Sequence, residues 1–230
     1  MSRANMDKNP QEVAAMFDGV ARRYDIVNDI LSLGRTKAWR RAATKVIAPA
    51  PGMKILDMAA GTGSSSAPLA AAGAEVIAAD FSEGMIAAGK KARPDLTFIR
   101  CDALNLPFED NSFDLFTISF GLRNTQNTAK ALAEARRVVK PGGRLVVVEF
   151  SSPTFAPFRA IYMNYLMRAL PFIAKKTSSN PDAYIYLADS IRAWPDQKAL
   201  AAQIVDAGWT QVGWKNLTGG VVAIHMAVAP

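Results

Sequence analysis

Residues 57–63, Asp57-Met-Ala-Ala-Gly61-Thr62-Gly63, end an apolar run (MKILDMA, 53–59) and open a stretch of small residues, GTGSSSAPLAAAG. Glycines at a strand-to-helix turn let the backbone approach a ligand closely, and a helix N-terminus presents free N–H groups. Asp80 ends the next apolar run, AEVIAAD, 19 residues after Gly61. A carboxylate at that distance suits hydrogen bonding to ribose hydroxyls, and Phe81 beside it is counted in the same contact. Together these residues describe a site for a nucleoside-bearing cofactor at the carboxyl ends of strands. Asp102-Ala103, after a third run, LTFIRC, would meet an adenine, whose exocyclic amine a carboxylate can accept. Ser119, at the end of a fourth run, SFDLFTISF, would face the same ligand. The plain readings stay open beside these: Asp57 as a turn cap, Asp102 as a loop start, Ser119 as an ordinary strand end.

The glycine pattern alone does not choose the cofactor. The third glycine of a dinucleotide fingerprint would fall at Ser66, so that fingerprint is incomplete. A short-chain reductase would need Tyr-x-x-x-Lys. Here the five tyrosines are followed four positions on by Asn28, Leu166, Ala169, Ala188 and Ser190. A cofactor without a pyrophosphate fits better, and S-adenosyl-L-methionine is the obvious one. A lone Cys101 and a lone His225 support neither a disulfide framework nor a multi-cysteine metal site, so no metal is expected. Cys101 reads as a buried small residue. His225, in a run that reads as the last strand, is either a packed side chain or a base whose near-neutral pKa would suit proton transfer.

These residues need elements to hold them. Apolar runs alternate with helical stretches from residue 53 to about 150: strands at MKILDMA, AEVIAAD, LTFIRC, SFDLFTISF and PGGRLVVVEFS, with helices between them. That rhythm predicts an α/β fold with right-handed βαβ units and a parallel sheet, and the near-continuous apolar strands predict a sheet covered on both faces. WTQVGWKNL and GVVAIHMAVA add two strands, after helices near 181–193 and 195–207. Residues 11–24 place Val13, Met16, Phe17 and Val20 at helical spacing, and an apolar-basic stretch, 26–48, carries Ile30, Leu31, Leu33 and Trp39 among Arg35, Lys37, Arg40 and Arg41. Pro49 and Pro51 then mark a boundary. The expected organisation is an N-terminal helical cap over 1–50 and a cofactor-binding domain over 51–230. Residues 153–180, rich in aromatics and methionine, form a helical insertion after the fifth strand.

The chain has 230 residues, half of them apolar, with net charge +7. The apolar fraction excludes intrinsic disorder. No run of about 18 apolar residues appears, and the N-terminus carries no apolar signal core, so a cytoplasmic protein is expected. Counted by segment, residues 1–50 carry net +4, 51–150 net zero and 151–230 net +3. The surplus therefore flanks a neutral middle. A nucleic-acid-binding protein would use such charge, but no basic-aromatic recognition motif accompanies it. No nucleic acid is expected as partner.

At this point the chain resembles the quinone C-methyltransferases of the UbiE/COQ5 type. The resemblance rests on MFDGVARRYDIVNDILSLG (16–34), AWRR (38–41), LDMAAGTG (56–63), AADFSEGM (78–85) and FDLFTISFGLRN (113–124). It continues through RVVKPGGRLVVVEFSSP (137–153), YIYLADSIRAWPDQ (184–197) and NLTGGVVAIH (216–225). Several of these lie outside a cofactor fold. The wording around MRALP, SSNP, SIRAWPDQ and AGW is that of menaquinone-pathway members of actinobacterial type. The resemblance implies a class I SAM-dependent methyltransferase with a Rossmann-like seven-stranded sheet. It implies methylation of a ring carbon of a polyprenylated quinol in menaquinone synthesis. A benzoquinol of ubiquinone synthesis or another small aromatic acceptor are the alternatives. It makes Thr62, Asp80, Asp102, Ala103 and Ser119 cofactor contacts. Many members carry an acidic residue where Ser64 stands here.

For that chemistry the acceptor carbon becomes nucleophilic when a hydroxyl proton leaves, so a base or a cation is needed near that oxygen. Gly121-Leu-Arg123-Asn124 offers both a cation and an amide: Arg123 to stabilise the quinolate, Asn124 to orient the ring. The competing reading has Arg123 paired with an acid and fixing a loop. Tyr24 and Asp25 are expected in a turn that closes over the cofactor. The insertion is expected to wall the prenyl tail and to make a transient contact with the inner face of an anionic membrane. A homodimer is compatible with all of this.

Overall fold

The computed structural model describes residues 8–18, 32, 34–169 and 181–230. The Tyr24–Asp25 turn, Ile30, Leu31, Leu33 and the end of the insertion, 170–180, lie outside the described residues.

Seven strands form one sheet in the order β3-β2-β1-β4-β5-β7-β6. They are β1 (Lys54–Met58), β2 (Glu75–Asp80), β3 (Thr97–Arg100), β4 (Phe113–Ser119), β5 (Val139–Phe150), β6 (Thr210–Leu217) and β7 (Val222–Val228). The five expected βα strands all form and run parallel. The last two are antiparallel, β7 to both β5 and β6. Only the turn Thr218–Gly220 joins β6 to β7, and a link that short can make a hairpin but not the crossover that parallel pairing needs.

Eight helices surround the sheet among the described residues: α1 (Pro10–Asp18), α2 (Thr36–Ile47), α3 (Ser66–Ala71), α4 (Glu83–Ala92), α5 (Thr128–Val138), α6 (Ala156–Asn164), α7 (Pro181–Ala193) and α8 (Gln197–Asp206). A single π turn, Tyr165–Ala169, continues from α6. Side chains alternate across each strand, so one face of the sheet carries Ile55, Leu115, Val146 and Val148 against α2 and α3. The other carries Leu56, Phe116, Ile118 and Val147 against α5 and α8. Both faces are buried, as continuous apolar strands require.

α2, within the segment expected as a cap, packs directly on the sheet. Its Trp39, Ala43 and Ile47 are buried in the same cluster as Ile55 and Val146, and Arg144 of β5 donates to the carbonyl of Ile47 at 2.7 Å, satisfying an orphan acceptor at the helix end. Residues 36–47 thus belong to the core of the sheet rather than to a separate cap. α1 is the part that covers. Its Val13 and Met16 pack on Tyr186 of α7, and its Asp18 accepts from the backbone of Gly84 at 2.9 Å and from the Ser82 hydroxyl at the start of α4.

Candidate active site

The carboxyl ends of β1, β2 and β4 meet in one cavity of about 800 Å³, a size usual for small-molecule sites. The turn after β1 forms its floor. Gly61, at φ +57°, donates its N–H to Asp80 Oδ2 at 2.8 Å. Ser82 donates its N–H to Asp80 Oδ1 at 2.9 Å. Backbone amides thus hold both oxygens of Asp80. Burial raises the Asp80 pKa, and the amides of Ser82, Gly61 and Phe81 oppose that. Ser82 also caps α4 by accepting from the Met85 N–H at 3.0 Å, which ties the carboxylate to a rigid helix start.

Thr62, Phe81, Asp102, Ala103 and Ser119 all line the same cavity. Asp102 is held by accepting the Leu104 N–H at 2.9 Å. Ser64, the departure from the family pattern, lines the cavity too and shares a 3.1 Å hydroxyl contact with Thr62.

Two expected contacts are placed elsewhere. Gly63 is not at the cavity: a Cβ there would lie 2.8 Å from Phe98 and 2.9 Å from Leu96. Its missing side chain, together with φ +78°, lets the turn pack onto the core beneath. Asp57 lies behind the cavity wall, fully buried, and accepts from the Ser66 hydroxyl at 2.6 Å. Burial, offset in part by that hydrogen bond, pushes its carboxyl up to about 7. Its register partner on β4 is Thr117, and neither Asp57 Oδ1 nor Thr117 Oγ1 has a protein partner. Thr117 lines the cavity, so a buried hydroxyl is available there to a polar ligand. These donors and acceptors fit a nucleoside with a charged amino-acid tail.

The remaining half of the cavity is apolar and aromatic. Phe120 and Phe150 lie 5.0 Å apart between ring centroids, and Trp39 stands over both at 6.0 and 6.2 Å. Trp39 is fixed by donating Nε1–H to Thr218 Oγ at 2.8 Å. Phe158 and Tyr162 of α6 and Leu187 of α7 complete this wall. Phe120 holds φ +58°, a conformation costly for a bulky residue and typical of functional positions.

Arg123 sits where the two halves join, 3% exposed. It donates to Glu149 at 2.8 Å from Nη1, to Ser190 at 3.4 Å from Nε, and to the carbonyl of Phe120. Its guanidinium also lies 5.2 Å from the Phe150 ring centre. The pairing with an acid that fixes a loop is thus present, at a residue that still lines the cavity. Asn124 lines it as well, 3.4 Å from the Tyr186 hydroxyl. His225 is not brought to the site. It lies between β5 and β6, 1% exposed, with Nε2 2.9 Å from the carbonyl of Gln197 and its ring against Trp214. Burial lowers its pKa. The expectation of a base there is corrected by the β7 register, which turns the side chain toward α8. Cys101 is buried as expected, its thiol pushed up to about 12.

Residues that sequence reasoning missed are those far from the glycine turn: Asp18, Trp39, Phe120, Glu149, Phe150 and Tyr186. Only Glu149 left a signal, an acid in the otherwise apolar run LVVVEF, which demands a buried partner.

A seven-stranded sheet with one antiparallel edge pair and a nucleoside-type site at its carboxyl ends defines the class I SAM-dependent methyltransferase fold. Two solved structures share it. One is a phosphoethanolamine N-methyltransferase 2 of Haemonchus contortus in complex with S-adenosyl-L-methionine (TM-score 0.62, 16% identity, 83% of this chain and 52% of that one). The other is a SAM-dependent methyltransferase of Aquifex aeolicus (TM-score 0.60, 18% identity, 83% and 89%). The family is narrower than the fold. Residues 5–229 match the model of the ubiE/COQ5 methyltransferase family, and the chain belongs to it. Demethylmenaquinone methyltransferase of Renibacterium salmoninarum is 61% identical over 227 residues (99% of this chain, 96% of the relative). That of Streptomyces avermitilis is 60% identical over 225 residues (98% and 97%).

Proposed function

We propose that this enzyme methylates a ring carbon of a polyprenylated quinol with S-adenosyl-L-methionine, converting demethylmenaquinol to menaquinol. The observation that carries this reading is one cavity with two chemistries: fixed carboxylates at one end, an aromatic and apolar chamber at the other. The near-full-length relatives named for that reaction support it. When bound, S-adenosyl-L-methionine supplies a methyl group already activated on a sulfonium. Asp80 would hold its ribose, Asp102 and Ala103 its adenine, and Thr62, Phe81 and Ser119 the surrounding wall. Trp39, Phe120 and Phe150 would clamp the acceptor ring and exclude water. Holding two reactants in line can supply roughly 7–11 kcal/mol of the barrier reduction.

Arg123 is assigned to the acceptor oxygen that carries developing negative charge. Glu149 holds the guanidinium in place and offsets its charge, so the interaction is a hydrogen bond from a fixed donor. Asn124 orients the ring. His225 is given no part at the reacting atoms. Among the described residues no helix is long and apolar enough to cross a membrane. The lipid acceptor and the basic flanks support a transient contact with an anionic membrane surface.

The test is incubation with labelled S-adenosyl-L-methionine and reduced demethylmenaquinone, with the benzoquinol counterpart as a parallel arm, and identification of the methylated product. Transfer to the naphthoquinol ring carbon is expected. No label in either quinol would overturn the proposal, and transfer to the benzoquinol alone would move it to ubiquinone synthesis.

A further inference from the structure

The aromatic half of the cavity leads out of the molecule on one side. α6 leaves the end of β5 with no fully buried residue, yet Phe158 and Tyr162 face the cavity from it. Ile161 of the same helix lines the cavity and is also 67% exposed. At this side chain the cavity wall and the protein surface are the same atoms. Phe155, just before the helix, is 65% exposed. Exposed apolar side chains on their own are common; what sets Ile161 apart is that it also lines the cavity. Inward from this mouth the wall stays apolar, through Tyr165, Leu166 and Ile191 of the π turn and α7. The carboxylates of Asp80 and Asp102 lie at the opposite end.

An acceptor ring beside Arg123 must keep its reacting carbon toward the cofactor half. A hydrocarbon tail on the same ring must then leave through apolar surroundings, and the wall from Phe150 past Tyr162 to Ile161 provides them. We infer that the polyprenyl tail of the acceptor leaves the cavity over α6, crossing Tyr162 and passing Ile161, so that this helix determines how strongly a long tail is preferred. The inference rests on the quinol reading above and adds its exit path.

The experiment uses the full chain with two detergent-dispersed demethylnaphthoquinols, one bearing a long polyprenyl tail and one a single isoprene unit. The readout is the ratio of their kcat/KM values. Wild-type enzyme is expected to prefer the long tail. Ile161→Glu places a charge in the path and should lower that ratio about tenfold, the worth of a lost apolar side-chain contact. Ile161→Leu should keep it. Calorimetric binding of S-adenosyl-L-methionine checks that each variant is folded. An equal fall for both acceptors, no change in the ratio, or a wild type without preference would overturn the path. So would a defect seen only when the acceptor is presented in anionic vesicles, which would assign Ile161 to membrane contact. Failure of wild type to methylate either quinol would instead remove the quinol reading itself.

Discussion

The two halves of the cavity are built by different means. The polar half is made of turns at the ends of β1, β2 and β4 and of the loop after β3, and hydrogen bonds to backbone set its geometry: Asp80 on Gly61 and Ser82, Asp102 on Leu104. The aromatic half is made of side chains from α2, α6 and α7 and the ends of β4 and β5, and ring packing sets its shape. Arg123 and its partner Glu149 add a buried ion pair to the second half.

Removing the charge at the junction should have the largest effect. Arg123→Ala leaves Glu149 buried without its cation, which costs about 3–5 kcal/mol of stability, readable in urea unfolding. Arg123→Ala combined with Glu149→Ala should recover part of that stability and none of the quinol turnover. Unchanged turnover in Arg123→Ala would remove its catalytic assignment.

Asp80→Asn sharpens the contrast from the other side. It keeps an acceptor for only one of the Gly61 and Ser82 amides, sets an NH2 donor against the other and removes the charge, and affinity for S-adenosyl-L-methionine should fall about 100-fold, some 2–3 kcal/mol, by calorimetry. Stacking in the aromatic half should stay intact, seen as an unaltered near-ultraviolet Trp39 signal.

Asp57 gives a pH signature. Its carboxyl, ordinarily at 3.8, is pushed up to about 7 by burial. Between these values the folded protein holds a proton that the unfolded chain has lost, so this group's contribution to stability falls as pH rises through that window. Relative to Asp57→Asn, wild type should lose stability from pH 4 to pH 7 by a difference on the order of 1–3 kcal/mol. His225, whose pKa burial lowers, acts with the opposite sign and is stabilising as pH rises toward the unfolded value of 6.5. A His225→Gln variant should flatten the acid side of the curve and leave turnover at neutral pH in place.

The smallest effect is expected at the aromatic wall. Trp39→Phe keeps most of the ring and loses the hydrogen bond to Thr218, a change of about 1 kcal/mol. It should raise KM for quinol more than it changes binding of S-adenosyl-L-methionine; the reverse would show that the two halves are not separately built.

That Gly61, Thr62, Asp80, Asp102, Ala103 and Ser119 gather at one cavity was legible because they are local. Each sits at the end of an apolar run, and a parallel strand must deliver its end to the same edge of the sheet. Gly63 shows the limit of that logic. Its spacing marks it as part of the turn, but whether its bare face meets ligand or core depends on Phe98 and Leu96, which approach from another strand. Asp57 shows it again, one residue from the cavity edge yet turned under α3 by the strand alternation.

The family came from resemblance of its motifs; the order of apolar runs and the glycine turn by themselves determined an α/β domain, five parallel strands and a nucleoside-type site at their ends. They did so because periodicity and turn chemistry act within a few residues of one another. Only the tertiary structure decided that α2 belongs to the core, that Arg123 is paired with Glu149, that His225 faces α8, and that Trp39, Phe120 and Phe150 form one wall. Those contacts join side chains far apart along the chain, and packing, which has no local signature, chooses among the partners that sequence leaves open.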